Sequence, residues 1–199
     1  MVNSIDCFIL WQSDEQVAGT MQNLLADDNV KEVNFLREDA PGSTKTIKYI
    51  AEKATAPYTL LYCKYDTLQL GYHALTRLLT IAEDSGALML YSDHWEVKSE
   101  ELRVKNESNN LDGERNPSSR YSSLVPVPLI DYQLGSVRDD FQMGSVLLFR
   151  TEVLKEYAAQ ENLHNYQYAA LYDLRLFISR KQLPSSRRTW RNWLRSATL

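Results

Sequence analysis

Four short polar clusters occur in the first hundred residues, each directly after an apolar run. They are Gln12-Ser13-Asp14, Arg37-Glu38-Asp39 with Gly42-Ser43-Thr44, Lys64-Tyr65-Asp66, and Ser92-Asp93-His94-Trp95-Glu96. Carboxylates that meet at one rim repel each other unless a cation or a hydroxyl-rich ligand uses them. Turns are also polar for a simpler reason, because Ser and Asp cap helices. The clusters therefore indicate a binding site only if the fold brings them together.

The elements between the clusters favour such a fold. Strands are predicted at 5–11, 30–39, 58–63 and 87–93, and helices within 12–28, 43–54 and 71–86. This alternation is typical of parallel strand units that cross over a shared sheet. The carboxyl ends of such strands share one edge, where helix N-termini converge and ligands bind. The sequence thus predicts an α/β protein with three layers, α/β/α, and a mostly parallel sheet.

Composition narrows the classes of partner. The chain has 199 residues, a net charge of -4 and a pI near 5.4. One domain is the default at this length, and an acidic body does not attract nucleic acid. The two cysteines, Cys7 and Cys63, lie in apolar runs, which suits a reducing compartment. With no basic leader and no long apolar stretch, we expect a cytoplasmic protein.

The ordered motifs resemble the inverting family 2 glycosyltransferases with the GT-A fold. The resemblance lies in the Gly42-Ser43-Thr44 turn before a helix, the strand that ends in an acidic turn at Asp66, and the Leu-x-x-Gly pattern at the start of the next helix. The segments 127–156 and 168–181 strengthen it, and it covers roughly residues 3–183. It implies transfer of a sugar, with inversion, from a nucleotide diphosphate sugar to a carbohydrate or lipid-linked acceptor.

The resemblance also implies a donor site. Its predicted donor-binding residues are Trp11, Gln12, Asp39, Ser43, Thr44, Lys64, Asp66 and Asp93. Asp66 would lie at the metal turn, with Asp93 as a second ligand for Mg²⁺ or Mn²⁺. The family's turn reads like Asp-x-Asp-Asp, whereas this chain keeps only the last carboxylate. Lys64 is the alternative to a metal, since its ammonium would neutralise the diphosphate directly.

Two positions are predicted for the catalytic base. Asp173 is the acid nearest to the place where the family has its Glu-Asp pair. Asp140 belongs to the adjacent pair Asp139-Asp140, in which one carboxylate raises the pKa of the other, as a base requires. For Asp173 the alternatives are an ion pair with Arg175 or Lys181, or a position on a solvated helix face.

The predicted organisation is a single GT-A-like domain at 1–184, with a nucleotide-sugar half at 1–100, a mobile loop at 101–128 and an acceptor half at 129–184. A basic C-terminal tail follows at 185–199, with four arginines and no acid. Within it, 187–195 is predicted to contact an anionic membrane, where lipid-linked acceptors reside.

Two further classes of function remain open from the sequence. One is a non-catalytic or truncated relative that retains nucleotide binding only, which the reduced metal turn favours. The other is an unrelated doubly wound nucleotide-binding module, because a fold alone does not define a function.

Overall fold

The computed structural model describes residues 4–37, 40–101, 120–129, 143–181 and 196–198. Within these ranges the elements, in chain order, are β1 (Ile5–Leu10), α1 (Asp14–Leu25), β2 (Val30–Leu36), α2 (Thr44–Lys53), β3 (Tyr58–Tyr62), α3 (Ala74–Ser85), β4 (Met89–Glu101), β5 (Arg120–Val127), β6 (Val146–Arg150), α4 (Thr151–Ala158), α5 (Ala170–Lys181) and β7 (Ser196–Thr198). The predicted alternation of strands and helices in the first hundred residues is confirmed.

The strands form one mixed sheet in the order β2-β1-β3-β6-β4-β5, with β7 also paired to β4. Strand β1 is parallel to both β2 and β3. Strand β6 lies between β3 and β4 and is antiparallel to both, so β4 runs in the same direction as β1–β3. The carboxyl ends of β1–β4 therefore share one edge of the sheet, called the carboxyl edge below.

Helices cover both faces of the sheet. The first apolar core joins one face to α2, α4 and α5, and includes Phe8, Leu10, Leu61, Leu147, Phe149, Leu154 and Leu174. The second joins the other face to α1 and α3, and includes Ile5, Cys7, Ile9, Leu60, Leu148, Leu24 and Leu75. The two sets alternate along each strand, as expected for strands buried on both faces. The predicted α/β class with three layers is thus confirmed.

Strand β4 is longer than the sequence predicted. It continues past 93 to Glu101 and pairs with β5, from His94 opposite Val127 to Glu101 opposite Arg120. The prediction of a loop throughout 101–128 is therefore wrong at 120–127, while 102–119 lies outside the described residues. Pro126 argued against a strand in the sequence, but β5 is an edge strand, where a missing N–H is tolerated.

The C-terminal tail is described only at Ser196–Thr198, which forms β7 beside Tyr91–Asp93. The segment 187–195, predicted to contact a membrane, lies outside the described residues. In the part of the chain that the structure describes, no helix combines the length and apolar character needed to cross a bilayer.

Candidate functional site

An open cleft of about 630 Å³ lies at the carboxyl edge, on the face covered by α3. Segment 64–71, the beginning of α3 and the β4–β5 ribbon form its walls. Three predicted site residues, Lys64, Asp66 and Asp93, line this cleft together. The structure thus brings together residues that follow two different strands.

The local structure explains this convergence. The N–H of Cys63 still donates to the carbonyl oxygen of Ser145 at 2.8 Å, and the chain leaves the sheet one residue later. Lys64 and Asp66 therefore begin the loop directly beyond β3. Strand β3 ends at the sheet edge, whereas β4 continues past it. Residues 93–97 therefore form one side of the cleft, beside that loop.

An ion pair crosses the cleft between Lys64 and Glu96. Nε2 of His94 lies 3.4 Å from the same Glu96 oxygen, Oε1. The hydrogen bond from Lys64, strengthened by its charge, lowers the pKa of Glu96. The positive charge of Lys64 is thus balanced within the protein, which weakens its predicted role as a substitute for a metal.

The two predicted metal ligands differ in their surroundings. Asp66 is exposed at the rim, whereas Asp93 is half-buried in the wall and its Oδ1 accepts a hydrogen bond of 2.7 Å from the N–H of Leu129. Both carboxylates line the same cleft, beside the pair formed by Lys64 and Glu96. No group of three or more His, Cys, Asp or Glu side chains suited to a metal occurs among the described residues. A divalent ion here would need oxygens from its ligand as well.

Tyr62 lies on the cleft side of β3 and supplies a neutral hydrogen-bonding group. Burial raises the pKa of Tyr62 to about 12, and the charges of Asp66 and Glu96 act in the same direction. Its phenol therefore stays protonated across the physiological range.

Ser43 and Thr44 have structural partners in place of a nucleoside. Ser43 is buried and caps α2, since its Oγ accepts from the N–H of Thr46 at 3.0 Å. Thr44 is also buried; its Oγ1 donates to the carbonyl oxygen of His164 at 2.8 Å and accepts from the N–H of Tyr166 at 2.9 Å. Both hydroxyls are thus used within the fold, and neither side chain is among those lining the cleft.

Trp11 and Gln12 follow β1 at the carboxyl edge, outside the cleft lining. The guanidinium carbon of Arg37 lies 5.2 Å from the centre of the Trp11 ring. One face of the indole is therefore already engaged in a cation–π contact within the protein. Gln12 is exposed. The predicted donor residue Asp39 lies outside the described residues, and its position relative to Asp66 stays a prediction.

The structure gives Asp173 a partner that the sequence did not indicate. Its Oδ2 accepts a hydrogen bond of 2.9 Å from the hydroxyl of Tyr157, and within the described residues no ion pair joins Asp173 to Arg175 or Lys181. Lys181 pairs with Glu156 instead. Asp173 lies on α5, on the face opposite α3, and does not line the cleft. Asp139 and Asp140 lie outside the described residues.

Sequence reasoning missed two groups that shape the site. Leu124 of β5 lines the cleft opposite Val97, and together with Trp95, which is 60% exposed, it forms an apolar wall. The short run of Leu124 and Val125 was the available signal. Gln16 is buried in α1 and connects β1 to the Asp66 loop by donating to the carbonyl oxygens of Leu10 at 3.3 Å and Asp66 at 3.5 Å.

The fold and the cleft define a three-layer α/β protein with a candidate site at the carboxyl edge of its sheet. No protein-family model and no curated protein matches the chain. Among solved structures it is similar to HddC from Yersinia pseudotuberculosis, with 9% sequence identity and a TM-score of 0.37, over 98% of this chain and 69% of that one. Function must therefore be inferred from the chemistry of the cleft.

Proposed function

We propose that this protein is a glycosyltransferase of the GT-A type. It binds a nucleotide diphosphate sugar in the cleft and transfers the sugar, with inversion, to a carbohydrate or lipid-linked acceptor. The supporting observation is that Lys64, Asp66 and Asp93, predicted from the resemblance to hold the donor's diphosphate and metal, line one cleft at the carboxyl edge. Open α/β sheets bind ligands at this edge.

The presence of two carboxylates in one cleft supports a metal-dependent donor. Asp66 and Asp93 would hold Mg²⁺ or Mn²⁺, and diphosphate oxygens would complete the coordination that two carboxylates leave open. Such an ion neutralises the charge that develops on the leaving diphosphate. The Leu129 N–H fixes the orientation of Asp93 through its 2.7 Å hydrogen bond.

The apolar wall provides a surface for a sugar or base ring. Trp95 and Leu124 present exposed apolar groups, and the Tyr62 phenol is a protonated donor in the same cleft. Flat apolar surfaces with a few polar groups are typical of sites for ring-containing ligands.

Asp140 is the proposed catalytic base. Glu96, the remaining carboxylate among the described residues that line the cleft, is held by Lys64 with a lowered pKa, which makes it a weak base. Asp173 is bound by Tyr157 outside the cleft lining. The proposal for Asp140 rests on the resemblance and on its adjacent Asp139.

We place this activity in the cytoplasm, with the basic segment 187–195 in peripheral contact with the inner face of the membrane. The four arginines of the tail, set against an acidic body, support this placement.

A non-catalytic relative that binds only the nucleotide is the second candidate. The internal pairing of Lys64 with Glu96 and of Asp173 with Tyr157 favours it, because both leave fewer free groups for catalysis.

Calorimetric titration with UDP and GDP, with and without Mn²⁺, tests the proposal. We expect Mn²⁺-dependent binding that Asp66→Asn weakens at least tenfold, with Asp28→Asn, an exposed position before β2, as the control. Release of nucleotide from a UDP- or GDP-sugar in the presence of acceptor would support transfer. Metal-independent binding without turnover would favour the non-catalytic candidate, and no binding of either nucleotide would overturn both.

A further inference from the structure

Within the cleft, a gap separates the loop that follows β3 from the extended part of β4. Strand β6 lies between these two strands and begins at Val146, opposite Tyr62. Strand β4 pairs with β6 only up to Tyr91 and then continues to Glu101. The backbones of β3 and β4 are two inter-strand spacings apart, about 10 Å, which leaves room for a ring-sized group of a ligand. The residues that line this gap are Tyr62, Lys64, His94, Glu96, Ser145 and Val146.

The side chains of His94 and Glu96 lie on the α3 face of the sheet, where the cleft is. Successive side chains of a strand point to opposite faces. Leu90 of β4 belongs to the core on the α3 face, and His94 and Glu96 follow it in the same alternation. Tyr62 of β3 belongs to the same core. The two strands therefore present polar groups to the gap from both sides.

Glu96 is held in place by two donors. Lys64 donates to its Oε1, and Nε2 of His94 lies 3.4 Å from the same oxygen. Nδ1 of His94 is buried without a hydrogen-bond partner among the described residues, so we assign the proton of the neutral ring to Nε2. Both contacts use Oε1 and leave Oε2 for a ligand. The Glu96 side chain is 34% exposed, so a ligand in the cleft can reach this oxygen.

The groups around the gap are suited to hydroxyls. The ammonium of Lys64 is already paired with Glu96, whereas the phenol of Tyr62 is a protonated donor. A hydroxyl both donates and accepts hydrogen bonds, so it can donate to a carboxylate and accept from a phenol. A carboxylate that is a weak base is still a strong acceptor, because its hydrogen bonds are charge-assisted. In a nucleotide diphosphate sugar, the sugar is the hydroxyl-rich group beside the diphosphate.

We propose that Glu96 is a specificity-determining residue for the donor's sugar, a role that rests on the function proposed above. Its Oε2 accepts hydrogen bonds from sugar hydroxyls, while Lys64 and His94 keep the carboxylate in position. A site that hydrogen-bonds a substrate hydroxyl discriminates strongly against ligands in which that hydroxyl is missing, because its own polar group is then left unpaired. Glu96 thus takes part in neither metal binding nor proton transfer.

Isothermal titration calorimetry at constant Mn²⁺ tests this role. UDP is compared with UDP-glucose, UDP-galactose and UDP-N-acetylglucosamine, and GDP with GDP-mannose. The Kd of the nucleotide divided by the Kd of the nucleotide sugar gives the contribution of the sugar, because both ligands share the diphosphate and metal contacts. We expect this ratio to be at least ten for one sugar in wild type. Glu96→Gln should lower it at least fivefold, since a neutral amide replaces the charged acceptor.

Glu52→Gln is the matched control, since it makes the same change at an exposed position of α2, on the opposite face of the sheet. It should keep the wild-type ratio. Glu96→Asp keeps the charge but withdraws the carboxylate by one methylene group, so it should also lower the ratio. This second variant separates the position of the carboxylate from its charge, and it decides the matter if Glu96→Gln does not fold.

The outcomes separate this inference from the proposed function. If nucleotides bind but both Glu96 variants keep the wild-type ratio, the inference is wrong and the proposed function stands. The same holds if wild type binds each nucleotide sugar no more tightly than the corresponding nucleotide. If neither UDP nor GDP binds, the proposed function fails and the role of Glu96 fails with it.

Discussion

Lys64 donates a hydrogen bond to Glu96 across the cleft, joining the loop after β3 to the wall formed by β4. Of the described residues that line the cleft, only Lys64 carries a permanent positive charge. Glu96 therefore competes with any anionic ligand for this ammonium. Ligand affinity should depend on the strength of that internal pair.

The first prediction follows from this competition. Glu96→Gln should raise the affinity for UDP about three- to tenfold, because the variant removes one negative charge from the cleft and leaves Lys64 available. Lys64→Gln should lower it by a similar factor. Isothermal titration calorimetry at constant Mn²⁺ measures both. If neither variant changes the affinity, the diphosphate does not bind next to Lys64.

The same pair predicts a pH dependence. Because the pKa of Glu96 is lower in the folded protein than its ordinary value, the pair stabilises the fold above that ordinary pKa. The stabilisation is lost as the pH falls through the lowered pKa. Unfolding temperatures of wild type and Glu96→Gln should therefore differ near neutral pH and converge in acid, once the pH lies below the lowered pKa of Glu96. A constant difference across this range would show that Glu96 does not titrate as described.

Local patterns predicted most of the first half of the fold. Strands β1 and β3 are short, mostly apolar runs that are buried throughout, and Ser13 and Ser43 cap their helices within three residues of sequence. The insertion of β6 between β3 and β4 was not predictable in this way. It joins segments that are far apart in the chain, and antiparallel pairing leaves no distinct periodicity in a strand buried on both faces.

In the candidate site too, features set by local sequence were predictable, and contacts between distant segments were not. Lys64, Asp66 and Asp93 were predictable because strand ends of one direction share an edge. The pairing of Lys64 with Glu96 could not be predicted, because Glu96 lies near Lys64 only where β4 extends past the sheet edge. For Ser43, the sequence signal of a cap and that of a ligand hydroxyl are identical, and the structure uses it as a cap.

The turn at Gly42 should be sensitive to substitution for a structural reason. A Cβ at this position would overlap the backbone oxygen of Tyr168, in the segment that donates from Ala170 N–H to the Gly42 carbonyl oxygen at 2.8 Å. We expect Gly42→Ala to reduce the free energy of unfolding by about 2 kcal/mol or more, because backbone must move. Urea denaturation measures this change.

Gly86→Ala provides the comparison for Gly42→Ala. Gly86 has a positive φ of 65°, and no atom lies within 4 Å of the place that an alanine methyl group would take. Only the backbone penalty of about 1 kcal/mol therefore applies to this substitution. A smaller loss for Gly42→Ala than for Gly86→Ala would contradict the steric explanation.

Asp6 stabilises the connection between α2 and β3. It is buried, and its Oδ2 accepts from the N–H groups of Thr55 at 2.6 Å and Ala56 at 2.7 Å. Asp6→Asn keeps the size but replaces charge-assisted bonds with neutral ones, so we expect a loss of about 1–3 kcal/mol in the free energy of unfolding. Asp28→Asn, at an exposed position, should change it by less than about 0.5 kcal/mol. Equal losses in the two variants would show that the Asp6 contacts contribute nothing specific.

Asp173 can be tested as a structural residue against its predicted role as a base. Tyr157 is fully buried and donates to Asp173 from α4, so Tyr157→Phe and Asp173→Asn should each cost about 1 kcal/mol of stability. Their combined cost should be smaller than the sum of the two single costs, because both variants remove the same contact.

A general base contributes about a hundredfold or more to turnover. Since Asp173 does not line the cleft, Asp173→Asn should keep nucleotide affinity and turnover within about twofold of wild type. A loss of turnover at unchanged affinity would instead support Asp173 as the catalytic base.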